Sequence, residues 1–285
     1  MKKNVGMALA LILGLFCFAA CGAGKEPAGK TQEERQEQET GDLPAAEEEK
    51  GEIPPEDEEE ETEQEAAGGI SIGTEESGQE YKAEDGTVIL TASYEWPVAV
   101  ISGNEQAAAA INEYIRSNSP VDEAEMQEWA KEDYAVRGKE NWYSYEAEIK
   151  YITERADEKI ISFNEVFYSY MGGAHPNADS RGLNFSAETG ERLTLADVAE
   201  EKEAAESAVR EFLLVETKKE EYREMLYDDY EESIGDILTE DTWYLGKDGF
   251  HIIANEYTIA PHVAGVMDFV IPYEKADFLK EEYKR

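Results

Sequence analysis

Three histidines, two cysteines and a large surplus of carboxylates are the groups in this 285-residue chain that could do chemistry. The histidines are His175, His251 and His262. None stands in an H-x-x-x-H or H-E-x-x-H frame, so the spacing offers no zinc site. Cys17 and Cys21 both lie near the N-terminus, and no cysteine follows them. The folded part therefore has neither a cysteine nucleophile nor a disulfide, and must be held by its core. No serine elbow or glycine-rich phosphate loop is expected. The 66 acidic residues make any chosen pair uninformative as a glycosidase dyad. No catalytic residue, metal ligand or cofactor is assigned on these grounds, and the chain is expected not to be an enzyme.

The stretch with the strongest local demands is Tyr168-Ser169-Tyr170-Met171-Gly172-Gly173-Ala174-His175-Pro176-Asn177. A strand-like run ends in two glycines, which suit positive φ or close backbone approach. Pro176 has no N–H to give a ladder. Two readings of His175 stand side by side. An exposed imidazole beside a glycine turn can bind or catalyse. A structural imidazole holds a nearby carbonyl and fixes the loop. His251, within a hairpin strand, reads as a packed or edge side chain, and His262, after Pro261, as a loop-ordering one.

Lys2 and Lys3 precede an uncharged apolar run from Val5 to Ala20. Its 16 residues fall short of the roughly 20 a spanning helix needs and suit a secretory signal. Phe18-Ala19-Ala20-Cys21 resembles a bacterial lipobox, which implies a lipid on Cys21; the alternative is an ordinary cut that leaves Cys21 incidental. Residues 25–80 hold 21 acidic and 4 basic residues and almost no large apolar side chains, with six consecutive acids at 56–61. Such a segment cannot bury enough surface to order itself. It reads as an extended, disordered tether, and alternatively as a cation or wall-polymer binder. Residues 81–285 carry 45 acidic and 20 basic residues, a net charge of −25. That disfavours nucleic acid and anionic lipid as partners and favours cationic ones.

The elements that must position these residues follow from periodicity. Residues 87–101 are strand-like, with Pro97 marking an edge, a bend or a break. Asn104 caps a helix with Ala107, Ile111, Tyr114 and Ile115 on one face. Ser119 and Pro120 open a second helix, with Met126, Trp129, Ala130 and Tyr134 as its stripe. Tyr143, Tyr145, Ala147, Ile149 and Tyr151 alternate with polar residues, the pattern of a half-buried antiparallel strand. After a polar turn at 155–159, residues 160–170 return to complete a hairpin. Gly190 suits a tight turn between 183–186 and 192–195, and Thr194 caps a helix with Asp197 at its third position. A second helical stretch is predicted over 222–237. Asp248-Gly249 marks another hairpin, Val266 to Ile271 a last strand, and a short helix follows from Tyr273. The order predicts an α+β fold: antiparallel sheets with helices packed on one face, as two small adjoining subdomains after a disordered acidic tail.

Tyr170 to Asn177, Leu183-Asn184-Phe185, Thr189 to Leu195, Trp243, Asp248-Gly249-Phe250, Tyr257-Thr258-Ile259-Ala260-Pro261, Gly265 and Ile271-Pro272-Tyr273 together resemble the RsiV-like C-terminal domain. Residues 87–149 resemble the small domain that precedes it and also precedes the catalytic domain of PdaC-type peptidoglycan deacetylases. The N-terminal residues read as a signal peptide over 1–20 and a lipid-anchored acidic linker over 21–80, and the resemblance implies a PdaC/RsiV-associated domain over 81–175 and an RsiV-like domain over 176–285. It implies an extracytoplasmic module with lysozyme-like or other cationic proteins, or peptidoglycan, as partners, and the lipid expected on Cys21 anchors that module to the outer face of a bacterial membrane. Tyr170, Gly172, Gly173, His175, Pro176, Asn177, Tyr257 and Pro261 are its candidate binding residues. The chain departs from the family in having no anti-sigma segment and no "TFDDG" motif, so neither direct sigma-factor control nor deacetylation is expected.

Overall fold

The computed structural model describes residues 64–66 and 69–284. The expected signal run, Cys21 and the acid run at 56–61 lie outside the described residues. Strand β1 (Gln64–Ala66) pairs with β2 (Ile70–Lys82), which pairs with β3 (Val88–Ile101). Helices α1 (Glu105–Ser117) and α2 (Glu123–Arg137) cross to β4 (Tyr145–Ala156). Strands β5 (Ile160–Tyr170) and β6 (Asn177–Ser186) complete a six-stranded sheet in sequence order. The short α3 (Leu195–Val198), then α4 (Lys202–Glu216) and α5 (Tyr230–Ser233), lead to a three-stranded sheet of β7 (Trp243–Leu245), β8 (Gly249–Ala254) and β9 (Met267–Pro272). The fold is α+β, as the element order predicts.

Two apolar cores share the large sheet. The first gathers Leu90, Ala92 and Tyr94 of β3, Tyr145, Ala147 and Ile149 of β4, Phe163 of β5 and Phe185 of β6 under Ile111 and Ile115 of α1 and Met126 of α2. These are alternate strand residues and one helical stripe, which is what period two and period 3.6 produce. The second core packs Val209 and Leu213 of α4 on Phe250, Ile252, Phe269 and Ile271 of the small sheet. Trp129, assigned to the α2 stripe, instead stands 44% exposed.

The seam between the sheets is polar. Leu183 and Phe185 of β6 face the first core, so Ser180, Gly182 and Asn184 face the other way. The Asn184 amide donates to the Trp243 carbonyl (3.1 Å) and accepts from the Leu245 N–H (2.9 Å), standing in for a strand neighbour. The Ser162 hydroxyl donates to the Leu245 carbonyl, and Asn255 exchanges two bonds with the Ser180 backbone. Gly182 donates to the Asp241 carbonyl at 2.8 Å, and the chains lie so close that a Cβ there would meet the Trp243 carbonyl oxygen at 1.9 Å.

Several expectations are corrected. Residues 70–80, read as part of a disordered linker, form most of β2; its outward residues are acidic and exposed, so it has the composition of a tail and the hydrogen bonds of a strand. β3 and β4 run parallel, joined across α1 and α2, so the large sheet is mixed and not wholly antiparallel. Pro97 does not break β3. Ala99 turns its backbone groups to the Asn112 side chain and away from β2, so Pro97, two residues earlier, does the same and removes no ladder bond. The cap of α2 is Asp122, accepting from Glu125 N–H at 3.0 Å, and not Ser119. Asn104 caps α1 as expected, and the Asp197 carboxylate accepts from both the N–H and the hydroxyl of Thr194. Residues 222–237 are mostly turns with only α5 and a 3-10 turn. The segment from Tyr273 forms 3-10 turns, not a helix. The polar turn at 155–159 is not a solvated one. Arg155 and Asp157 are buried and paired at 2.5 Å, and Arg155 also donates to the Tyr273 hydroxyl (2.9 Å) and the Tyr283 carbonyl (2.8 Å).

Candidate functional site

Met171 to Pro176 is the turn that joins β5 to β6, since Ser169 pairs with Asn177. The expected boundary at 175/176 lies within this turn, between two paired strands of one sheet. Gly172 and Gly173 take φ of +82° and +111°, conformations that side chains rarely adopt, so the double glycine is a requirement of this turn. The guanidinium of Arg137, at the end of α2 and paired with Asp133 at 2.9 Å, closes over Gly172. The Tyr170 hydroxyl donates to the Gly173 carbonyl at 3.2 Å.

A second loop, residues 255–265, meets this turn. The rings of His175 and His262 stack with centroids 3.8 Å apart and planes 13° from parallel. His175 Nδ1 lies 2.8 Å from the Pro176 carbonyl, so this ring holds its own turn. His262 Nδ1 lies 2.8 Å from Glu256, whose side chain is nearly buried. The Tyr257 hydroxyl reaches 3.5 Å from His175 Nε2. Tyr257 is the one non-glycine residue at positive φ (+65°) among the described residues, and the residue is 51% exposed. A non-glycine residue in this region costs of order 1–3 kcal/mol and persists only where the surrounding structure over-determines it.

The candidate residues thus divide. Gly172, Gly173, His175, Pro176, Tyr170 and Asn177 form or flank the turn, and Tyr257 joins them through His175. Pro261 directly precedes the 3-10 turn His262–Ala264 that carries the stacked ring. His175 holds the carbonyl of its own loop, as the structural reading expects, and its residue remains exposed. His262 and Glu256 were not among the candidates. Their pairing joins residues six apart in irregular chain, where no periodicity points to it.

His251 belongs elsewhere. It is buried in β8, stacked on Tyr244, with Nδ1 2.9 Å from Asp268 and Nε2 2.8 Å from Asp248. Burial opposes its charge, but the hydrogen bonds and charge of Asp268, then Asp248, outweigh it and raise its pKa above the ordinary value. Burial, then Asp268, likewise push the Tyr244 hydroxyl far up. No three metal-ligating side chains cluster among the described residues. The G-x-S-x-G spacing does occur, at Gly69-Ile70-Ser71-Ile72-Gly73, against the expectation from sequence. It runs along β2, where Ser71 pairs with Val100, so it makes no strand-to-helix elbow.

A mixed sheet shared by two cores, with two loops meeting at its end, defines a class of architecture before it defines a family. Residues 83–178 match the family described as "Deacetylase PdaC", and residues 196–274 match "Protein of unknown function (DUF3298)". No curated protein matches. A crystal structure of a DUF3298 family member from Bacteroides fragilis is similar, with a TM-score of 0.55 and 19% identity over 75% of this chain and 95% of that one. A DUF3298 family protein from Pseudomonas aeruginosa gives a TM-score of 0.46 and 15% identity over 75% and 95%. The chain carries a PdaC-type region followed by a DUF3298-type region, and the Bacteroides protein shares its fold. Most of β6 falls in neither match, although it forms the seam between them.

Proposed function

We propose that this chain is a lipoprotein, anchored through Cys21 to the outer face of a bacterial cell membrane, whose α+β module binds cationic proteins of the lysozyme type without catalysing a reaction. The observation that carries the reading is the junction of the two loops. Together they expose Met171, His175, Tyr257 and Val263 on a strongly acidic protein. Aromatic anchors in a field of opposite charge are what a cationic partner needs: the field speeds encounter and the anchors hold.

Calorimetric titration of the chain with lysozyme tests this. Binding is expected, weakening as salt rises. Tyr257→Gly is the informative variant, because glycine relaxes the backbone at positive φ while removing the ring. It is expected to melt no lower than the parent, by relief of about 1 kcal/mol, yet to bind at least tenfold more weakly. No binding to lysozyme at low salt removes the reading. A second reading, a peptidoglycan enzyme or accessory domain, is favoured by the deacetylase named in the first match. Sedimentation with purified peptidoglycan, together with assay of the supernatant for released acetate, separates it from the first.

A further inference from the structure

Beside the two loops lies a groove of 230 Å³ on the β5–β6 face, lined by Phe167, Pro120, Thr242 and Asn255, with Asp179 and Arg181 on its wall. Phe167 and Asp179 are direct cross-strand partners, so an aromatic surface and a carboxylate stand together by register. Arg181 is already committed, to the buried Glu165 at 2.5 Å and to the Asn118 carbonyl at 2.7 Å. The third acid of the groove, Asp241, is held by Arg192 at 2.5 Å. Asp179 differs from both. Among the described residues its carboxylate has no hydrogen-bond or ion-pair partner. It remains open to solvent at the mouth, but the protein around it withholds enough water to raise its pKa, and the nearby Glu256 charge pushes the same way. An anion that is partly desolvated and faces another anion is destabilised until a cation arrives.

We propose that this groove seats one basic side chain, lysine or arginine, of a bound partner. The apolar stem lies on Phe167 and Pro120, and the cationic head pairs with Asp179. This deepens the reading of the chain as a binder of cationic proteins and rests on it for the partner. The chemistry fits a basic side chain because its length is apolar and its tip is charged, and because the one unsatisfied charge in the groove is negative. A neutral sugar would leave Asp179 uncompensated.

The test uses the full chain in detergent micelles, titrated with a hexalysine peptide and, separately, with lysozyme. Asp179→Asn is expected to weaken hexalysine binding about tenfold, the loss of roughly one charge-assisted bond. Glu203→Gln removes one charge from the exposed face of α4 and is expected to stay within twofold. Phe167→Ala should weaken binding as well. Asp179→Asn removes a group that has no partner, so folding is retained even if the phenylalanine variant is damaged. Equal loss in the Asp179 and Glu203 variants, or none in either, overturns the groove as a specific seat. If lysozyme binds and Asp179→Asn leaves both ligands untouched, the groove fails while the broader function stands. If hexalysine binding depends on Asp179 while lysozyme does not bind, the groove stands and the partner class is wrong.

Discussion

Gly182→Ala probes the seam that fixes the whole second sheet against the first. The added Cβ would lie 1.9 Å from the Trp243 carbonyl oxygen and 2.4 Å from its carbon. Ordinary contact begins near 3.4 Å, so the backbones must part by about 1.5 Å. Both are main chain, and no side chain can swing aside. Four seam bonds hang on that spacing: Gly182 to Asp241 (2.8 Å), Asn184 to Trp243 (3.1 Å), Leu245 to Asn184 (2.9 Å) and Ser162 to Leu245 (2.5 Å). A shift of that size carries each past hydrogen-bond range. At about 0.5–1.5 kcal/mol net per bond and about 1–3 kcal/mol for overpacking, with partial relaxation, the cost comes to about 3–6 kcal/mol. For a domain of this size each kcal/mol lowers Tm by about 2–4 °C, so a fall of at least about 6 °C is expected. Gly73→Ala is the control, since nothing lies within 4 Å of its Cβ, and it should change stability by under about 0.5 kcal/mol. Differential scanning calorimetry reads both. A Gly182→Ala protein melting within about 2 °C of the parent would refute the close-approach argument.

Two further predictions concern buried charge. Arg155→Met removes one buried half of the Arg155–Asp157 pair and leaves the Tyr273 hydroxyl and Tyr283 carbonyl without their donor, and should cost about 3–5 kcal/mol in urea unfolding; a variant as stable as the parent sinks the view that Arg155 organises the C-terminal end. His251 has a folded pKa above its unfolded value, which lies near 6.5. Its contribution is therefore complete below that value and is lost as pH rises through the folded one. The gap in urea midpoint between the parent and His251→Gln should shrink from pH 5.5 to pH 9, and a gap that widens with pH contradicts the arrangement.

The hairpin of β4 and β5, the Asn104 cap, the Thr194–Asp197 cap and the turn at Asp248-Gly249 were all legible in the sequence. Each is a local event, written in period-two alternation or in a side chain reaching three residues ahead. The double glycine before His175 was legible as strained backbone for the same reason. The sequence did not reveal β2 as a strand, because an exposed, acidic strand lacks the alternation that burial imposes. Nor did it reveal that His262, 87 positions away, stacks on His175.

By itself, then, the sequence determined the main apolar stripes of the strands and helices and the turns at Gly172-Gly173 and Asp248-Gly249, and it offered no zinc-binding spacing. Only the tertiary structure decided which polar residues matter. Ser162, Gly182 and Asn184 are ordinary residues on the outward side of their strands until a second sheet arrives; then they form the seam. Asp179 is one acid among 66 until β5 places Phe167 across from it and leaves it without a cation. The physical reason is the same in each case. Burial is encoded along the chain by periodicity, whereas the partner of a polar group is set by chain far away in sequence.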